Sequence, residues 1–396
     1  MPETYAKKHI NKDMDYIVKP LVFRKPNKLE SENKISINPM LIPTSLMIYL
    51  KTTETCQLNC KHCFTNGTNG RKVYFDPDQV IDWFTRMHQV APNIQNGNVA
   101  FHGGEPFLAP VEDMRKVWLA CKDLWPNVWW TTTTNLAYKL TDEMRAFMKE
   151  ALFNGISTSW DKNMRFDNPK QEELWRKNLD TLIADGHNVT LNISINRDII
   201  NMDPRDLIEF IKDLKVNYVH FERITPNGNA TLNKEIFPSN IELDQWILKL
   251  WDASVEMESH KYFANTLFDS VLTSFINTTH SGCRCRSCEQ KIFTLNADGT
   301  IGGCPNSAVD NTFGTLNDSI PALLGSEGRL ENIVCESQRN PNCYGCEVFD
   351  ICNGDCHQLA WEGNVCAAPK SLMKKLKANN DLELYKDVLN QFIGVE

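Results

Sequence analysis

Fourteen cysteines, gathered at two places, constrain this chain more than any other feature. The first group is "CQLNCKHC", residues 56–63, which sets Cys56, Cys60 and Cys63 at the spacing C-x3-C-x2-C. Ten of the fourteen lie between Cys283 and Cys366. In a small secreted domain such numbers would read as disulfides, but 396 residues can bury a sizeable core without staples. "KKHINK" near the start has too few basic residues, and no following apolar run, for a signal peptide. No apolar stretch approaches membrane-spanning length. The expected location is therefore the cytoplasm, where tightly spaced cysteines hold metals or clusters. A net charge of −8 gives no general attraction to nucleic acid or an acidic membrane, and neither is expected as a partner.

Between the two cysteine groups, apolar runs alternate with helical patterns. "SLMIYLK" (45–51) reads as a strand leading into the first cysteines. "NVAFHGG" (98–104), "VWWTTTT" (128–134), "GISTSW" (155–160), "NVTLNISIN" (188–196) and "VNYVHFERI" (216–224) read as five more. Helix starts are marked by Asp76-Pro77, Thr141, Asp203-Pro204 and a capping box of Ser239 with Glu242. Repeated strand–helix units imply an α/β fold, a parallel sheet with helices outside, whose ligands bind at the carboxyl ends of the strands. The cysteine loop, the Gly103–Gly104 turn and "TNL" (134–136) all follow strands, so they are expected on one face. After about residue 280 cysteine, glycine, asparagine and proline rise, and helical periodicity returns only in "SLMKKLKANNDLELYKDVLNQF" (371–392). A loop-rich tail has little core of its own, and metal clusters are the expected staples.

Three cysteines in one short loop can surround a compact centre without crossing any core. Zinc is the plain alternative, but its structural sites take four ligands, usually as separated pairs, and His62 adjoins Cys63 and is a poor fourth. A [4Fe–4S] cube held by three cysteines keeps one iron open for a ligand. The loop resembles the signature of the radical S-adenosylmethionine (radical SAM) enzymes, C-x3-C-x-aromatic-C after the first strand of a partial (β/α)6 TIM-like barrel. Cys56, Cys60, His62 and Cys63 stand in the matching places. The resemblance implies that the open iron chelates the amino and carboxylate groups of S-adenosylmethionine, and that an electron splits the sulfonium to give a 5′-deoxyadenosyl radical. It also implies an electron donor such as flavodoxin or ferredoxin.

Gly103, Gly104, Glu105 and Pro106, "GGEP", match the turn that holds the cofactor's amino group in that family. Glycines let a backbone approach a ligand closely, and a glutamate accepts hydrogen bonds from an ammonium. Ser159 and Asp161 in "STSWD" stand where relatives carry S-x-D, whose serine meets the cofactor carboxylate; an ordinary strand-end turn would read the same way. Asn135 echoes the family's "TNG", with Leu136 in place of the glycine.

Cys343-x2-Cys346-x5-Cys352-x3-Cys356, followed by Cys366, and Cys288-x10-Gly299-x4-Cys304 upstream resemble the SPASM pattern at the C-terminus of many radical SAM peptide maturases. That resemblance implies two auxiliary [4Fe–4S] clusters, one on Cys288, Cys304, Cys356 and either Cys283 or Cys285, the other on Cys343, Cys346, Cys352 and Cys366. Three clusters then leave Cys121, Cys335 and one of Cys283 and Cys285 over. Cys121 lies in an apolar helix pattern and reads as a core residue; Cys335 reads as inert, with a substitute ligand or a hydrogen-atom donor as alternatives. The expected organisation is an N-terminal segment (1–44), the partial barrel (45–245), a helical connector (246–280) and the loop-rich, cluster-stapled SPASM domain (281–396).

SPASM relatives act mainly on peptides. Those that mature sulfatases carry an aspartate after the cysteine matching Cys304; Pro305 stands there in "GGCPNS", which argues against that reaction. About 45 residues precede the first strand, too few for the extra recognition domain of many peptide maturases. The expectation is a maturase that oxidatively crosslinks a ribosomally made precursor peptide, with a cyclophane favoured over other carbon–carbon or thioether products. One alternative is a dehydrogenase or epimerase acting on a small molecule or peptide. Another is a non-catalytic iron–sulfur electron carrier or zinc-stabilised scaffold, which leaves "GGEP" and the repeated units without a role. Trp129, Trp130 and Trp160 receive no assignment, since the first two alternate along one strand and at least one must be packed. Glu222, near the end of the sixth strand, reads as an ordinary strand-end carboxylate.

Overall fold

The structure, a computed structural model, describes residues 38–379 apart from 66, 154, 278 and 308–310. Most of the segment 1–44 and the last part of the helix pattern at 371–392 lie outside the described residues.

The alternation in the sequence builds the sheet. Strands β1 (Ser45–Thr53), β2 (Asn96–Gly103), β3 (Val128–Thr133), β4 (Ile156–Ser159), β5 (Val189–Ile195) and β6 (Tyr218–Arg223) pair in chain order, each parallel to the next. Helices α1 (Pro77–Val90), α2 (Val111–Cys121), α3 (Asp142–Ala151), α4 (Pro169–Ala184), α5 (Pro204–Leu214) and α6 (Asn240–Glu256) follow them in turn. This is the α/β, partial (β/α)6 architecture expected from the sequence. The caps work as read: Asp76 accepts from the N–H groups of Asp78 and Gln79, Thr141 from Met144, Asp203 from Arg205, and Ser239 and Glu242 close a capping box. Each is worth about 1 kcal/mol to its helix.

Strand periodicity decides which face each residue takes. Leu46, Ile48 and Leu50 of β1 are buried in the main core, so Met47, Tyr49 and Lys51 lie on the opposite face. On β3, Trp130 packs against Phe84 and Phe101, while its neighbour Trp129 is 70% exposed. Trp160 is buried against Phe210 and donates its indole N–H to Glu172. Among the described residues no helix is long and apolar enough to cross a membrane.

Two additions lengthen the sheet beyond the six units. Within the segment read as a helical connector, β7 (Ala264–Asn265) pairs with β6 and leads into α7 (Thr266–Ile276). At the other edge β8 (Ile292–Leu295) runs parallel to β1 and returns antiparallel through β9 (Thr300–Gly302) to β10 (Thr312–Thr315). Among the described residues the result is one ten-stranded sheet, β10-β9-β8-β1-β2-β3-β4-β5-β6-β7. The cysteine-rich tail is thus less coreless than its composition suggests. Phe293, Leu295 and Ile301 join the main core, as do Val348, Ile351, Leu372, Met373 and Leu376. The cue was present in "IFTLNADGTIG", two apolar runs around a turn sequence, but the cysteines on either side obscured it.

One buried ion pair bolts the tail to the barrel. Arg223 at the end of β6 binds both carboxylate oxygens of Asp355, at 2.8 and 2.9 Å, and the carbonyl of Ala367 at 3.0 Å. Burial alone would raise the Asp355 carboxyl, but Arg223 overrides it and holds the group well below the ordinary aspartate range. A depressed carboxyl stabilises the fold above its unfolded pKa, and that contribution is lost as the pH falls through the acid range. Asp355→Asn, which strands a buried guanidinium, should lower the unfolding free energy by about 3–5 kcal/mol in urea titrations. The paired replacement Arg223→Met with Asp355→Leu should recover most of that loss.

Candidate functional site

The strand ends converge on the cysteine loop, and each grips it by a different contact. From β2, the N–H groups of Gly104 and Glu105 donate to the carbonyls of Thr53 and Thr55 at 2.9 Å. A Cβ on Gly104 would lie 1.9 Å from the Thr55 oxygen, and one on Gly103 (φ 136°) 2.2 Å from that of Thr53. The close approach that demands these glycines is therefore to the protein's own loop, a role the motif reading did not include. From β3, Asn135 accepts from the Gln57 side chain at 2.8 Å and offers its own N–H to the Cys56 sulfur at 3.4 Å. Leu136 beside it holds φ 51°, the left-handed conformation that favours glycine. From the turn after β4, the Met164 carbonyl accepts from the Lys61 N–H at 3.1 Å.

The loop after β6, "PNGNATLN" (226–233), supplies the last grip. Asn229 donates its backbone N–H to the Cys63 carbonyl at 2.7 Å and its side chain to the Cys60 carbonyl at 3.1 Å. Asn233 reaches the Lys61 carbonyl at 3.1 Å. Gly228 (φ 54°) has room for no side chain, since a Cβ would sit 2.3 Å from the Cys63 oxygen. Sequence reasoning missed this loop; its asparagine and glycine density at a strand end was the available signal.

Cys56, Cys60 and Cys63 gather with Leu58, Ala137 and Phe166 in one small apolar cluster. The N–H groups of Leu58 and Gly67 point at the sulfurs of Cys56 and Cys63, at 3.4 and 3.2 Å. Burial pushes the thiols up, Cys56 to about 11 and Cys60 to about 12. Thiolates here require a cationic partner, and the partial charge of several N–H donors suits sulfur ligands of an iron–sulfur cluster. Among the described residues no three His, Cys, Asp or Glu side chains close on a point suited to a single metal ion. Such an ion draws its thiolates to about 2.3 Å from one centre, whereas a cube gives each thiolate its own iron.

Beside the thiols lies a buried charged group that the sequence did not reveal. Arg165 binds Asp161 at 2.6 and 2.7 Å, Asp161 also accepts from the Ser194 N–H at 2.6 Å, and His62 Nε2 stands 3.4 Å from Asp161. Burial alone would raise the Asp161 carboxyl; Arg165, then His62, hold it below its usual value. The Arg165 charge also reaches Cys60 and Cys56. His62 Nδ1 is buried with no partner among the described residues, an open valence for a polar ligand. Ser159 is buried at the end of β4, two residues from Asp161.

Glu105 is fully buried and faces protein donors. It accepts from the Phe107 N–H at 3.2 Å, the Thr134 hydroxyl at 2.7 Å and the Asn135 N–H at 2.8 Å. A carboxylate has about four acceptor positions, so one is left for an ammonium. Pro106 opens the short 3-10 turn Pro106–Leu108 that Glu105 caps.

In the tail, Cys343, Cys346, Cys352 and Cys366 line one cavity of about 260 Å³, many times the roughly 30 Å³ share of a water molecule. They are the four grouped in the sequence reading. Of the other set, the Cys283 thiol lies beside Cys356 and the Cys285 thiol beside Cys288. Cys304 acts electrostatically on Cys288. Cys283 also contacts Asp355 at 3.2 Å and Arg223 at 3.7 Å, Cys285 the Lys291 ammonium at 3.6 Å. Cys121 is buried in the core, as read. Cys335 sits half-buried on α8 (Glu327–Ser337), and the charges acting on it are those of Glu331 and Glu289. Glu222 accepts from the Asn306 side chain at 3.1 Å.

Burial raises the Glu105 carboxyl from 4.5 to about 7, against the pull of its three donors. Between those values the folded chain keeps a proton that the unfolded chain has lost, so stability falls as pH rises, by up to about 3 kcal/mol. The Tm of the cluster-free protein should drop between pH 5 and 7 and level off above. Glu105→Gln should flatten that slope, and calorimetry across the range checks it.

Comparison with known proteins places this geometry. Over 333 residues the chain is 21% identical to the radical SAM cyclopropyl synthase TigE of Paramaledivibacter caminithermalis, covering 78% of this chain and 67% of that protein. Its fold matches anSMEcpe with bound AdoMet and the Cp18Cys peptide at a TM-score of 0.70 and 16% identity, over 87% of this chain and 99% of the other. It matches Streptococcus suis SuiB bound to its precursor peptide SuiA at 0.58 and 16% identity, over 79% and 72%. No protein-family model matches the chain. The chain is thus similar in sequence to a radical SAM cyclopropyl synthase and shares the fold of anSMEcpe and SuiB.

Proposed function

We propose that this chain is a radical SAM peptide maturase that reductively cleaves S-adenosylmethionine and oxidatively crosslinks a precursor peptide. The observation that carries the reading is the convergence of three thiols, one buried and two partly buried, with N–H donors at the strand ends, together with further cysteines gathered in the tail. When bound, a [4Fe–4S] cluster and S-adenosylmethionine together supply a 5′-deoxyadenosyl radical.

The chain's own residues bind and orient. Cys56, Cys60 and Cys63 would hold the cluster, with Asn135, Leu58 and Gly67 donating to sulfur. The unpartnered Nδ1 of His62, the remaining acceptor position of Glu105 and the Ser159 hydroxyl lie among the groups available to the cofactor's polar ends. Cys288, Cys304 and Cys356 with Cys283 or Cys285, and Cys343, Cys346, Cys352 and Cys366, would hold two auxiliary clusters. Closing one bond removes two hydrogens from the peptide. One would leave as a hydrogen atom and the other as a proton, its electron passing to an acceptor close by, which clusters held by the tail's cysteines would supply. The reducing electron would come from a flavodoxin or ferredoxin in the cytoplasm.

The peptides in the anSMEcpe and SuiB structures support a peptide substrate, and a cyclophane remains the favoured product. The name of the TigE relative favours a second reading, a cyclopropane closed within one residue. Both products are lighter than the substrate by about two mass units, so fragmentation and NMR are needed to tell them apart.

Anaerobically reconstituted protein should carry about twelve iron atoms per chain, and Cys343→Ala with Cys346→Ala should remove about four. With dithionite and the short peptide encoded beside its gene, it should release 5′-deoxyadenosine and a product about two mass units lighter. Deoxyadenosine with an unchanged peptide mass would remove the crosslinking claim. Cys335→Ala should keep both iron content and product; loss of turnover with full iron would make Cys335 a participant.

A further inference from the structure

The inner face of β1 carries a buried lysine that makes no hydrogen bond or ion pair among the described residues. Lys51 is 6% exposed, on the face shared with Tyr49 and opposite His102 in the β1–β2 register. It precedes Cys56 by one short turn of chain. Among the described residues its ammonium has no hydrogen-bond or ion-pair partner. The two carboxylates whose fields reach it are already engaged. Arg71 binds Glu54 at 2.7 and 2.8 Å and Asp298 at 2.6 Å. A lysine so placed, with its side chain buried and no carboxylate within ion-pair distance, is suited to a ligand that completes it.

His102 presents a second open valence on the same face. Its Nδ1 is buried without a partner among the described residues. The ring is held edge-on by Tyr49, centroids 5.6 Å apart, and faced by Phe64, the residue after Cys63, at 5.8 Å. Burial, then the Lys51 charge, pulls the imidazole down to about 4, so it is neutral at physiological pH and offers one N–H. A fixed cation and a neutral donor on adjacent strands, walled by two aromatic rings, match an oxyanion rather than a cation or an apolar group.

We infer that Lys51 and His102 form a receptor for a carboxylate of the peptide substrate, placed at the cluster loop to fix which residue lies nearest the radical. This rests on the maturase reading above, and it names a recognition element that the reading lacked. The same chemistry has one other source on hand, the carboxylate of S-adenosylmethionine, and the test separates the two.

Affinity is measured without reductant, so no turnover is required. The reconstituted protein is titrated against the dye-labelled precursor peptide, and against versions with each Asp or Glu changed in turn to Asn or Gln, or with the C-terminus amidated. One of these versions should bind about tenfold or more weakly. Lys51→Gln should weaken the parent peptide as much and show no further loss with that version. Lys51→Arg should restore part of the affinity, and S-adenosylmethionine should bind all three proteins alike, which also reports that they are folded. Full peptide affinity in Lys51→Gln, losses that simply add, or weakened S-adenosylmethionine binding in its place would overturn the inference. Failure of the wild type to release deoxyadenosine with dithionite would instead remove the maturase reading, and it leaves the binding result standing.

Discussion

The cysteine loop has almost no regular structure, so its backbone polar groups must be satisfied from outside, and everything else in the site follows from how that is done. A buried N–H or carbonyl left unpaired costs as much as a lost hydrogen bond or more. The fold answers with strand ends. Gly104 and Glu105 meet Thr53 and Thr55, Asn135 meets Gln57, Met164 meets Lys61, and Asn229 and Asn233 meet Cys60, Cys63 and Lys61. A parallel sheet puts all its carboxyl ends on one side, which lets four separate connections close on one loop. Sulfurs held this way are positioned before any cluster arrives.

Electrostatics then divide the molecule into places where charge is answered and places where it is not. Arg223 with Asp355, and Arg165 with Asp161, are buried and paired. Breaking either is far more damaging than removing both partners, because the survivor stays buried. His62 Nδ1 and His102 Nδ1 are buried without a partner among the described residues, and the Lys51 side chain is buried beside His102 with no ion pair. Two unpartnered imidazole nitrogens, those of His62 and His102, stand near the cysteine loop, while the sheet behind them is packed with apolar side chains such as Phe84, Phe101 and Trp130.

The tail is held in two ways. Its hairpin continues the sheet from β1 and its apolar residues enter the common core, so part of its stability comes from burial like that of any α/β domain. Its cysteines lie on the connecting loops, four of them around a single cavity. The attachment of the tail thus rests on the shared sheet and core rather than on its cysteines. The glycines of "GGEP" show the same economy of purpose: their lack of a side chain serves the close packing of two backbone turns, while the glutamate beside them ties one strand end to the next.

Read by itself, the chain determined its sheet and its helix caps, because these depend on local spacing: period two for strands and a capping oxygen before a helix. It also determined that Trp129 and Trp130 take different faces, though not which is packed. Arg165, the asparagines at 229 and 233, and the pairing of Arg223 with Asp355 join residues between four and 172 positions apart in sequence, and no local pattern records which partners meet. Lys51 was visible as a lysine closing an apolar strand; that it has no counterion became apparent only when folding gave Glu54 and Asp298 to Arg71. Charge complementarity is a property of three-dimensional neighbours, so only the tertiary structure decided where it is satisfied and where it is left open for a ligand.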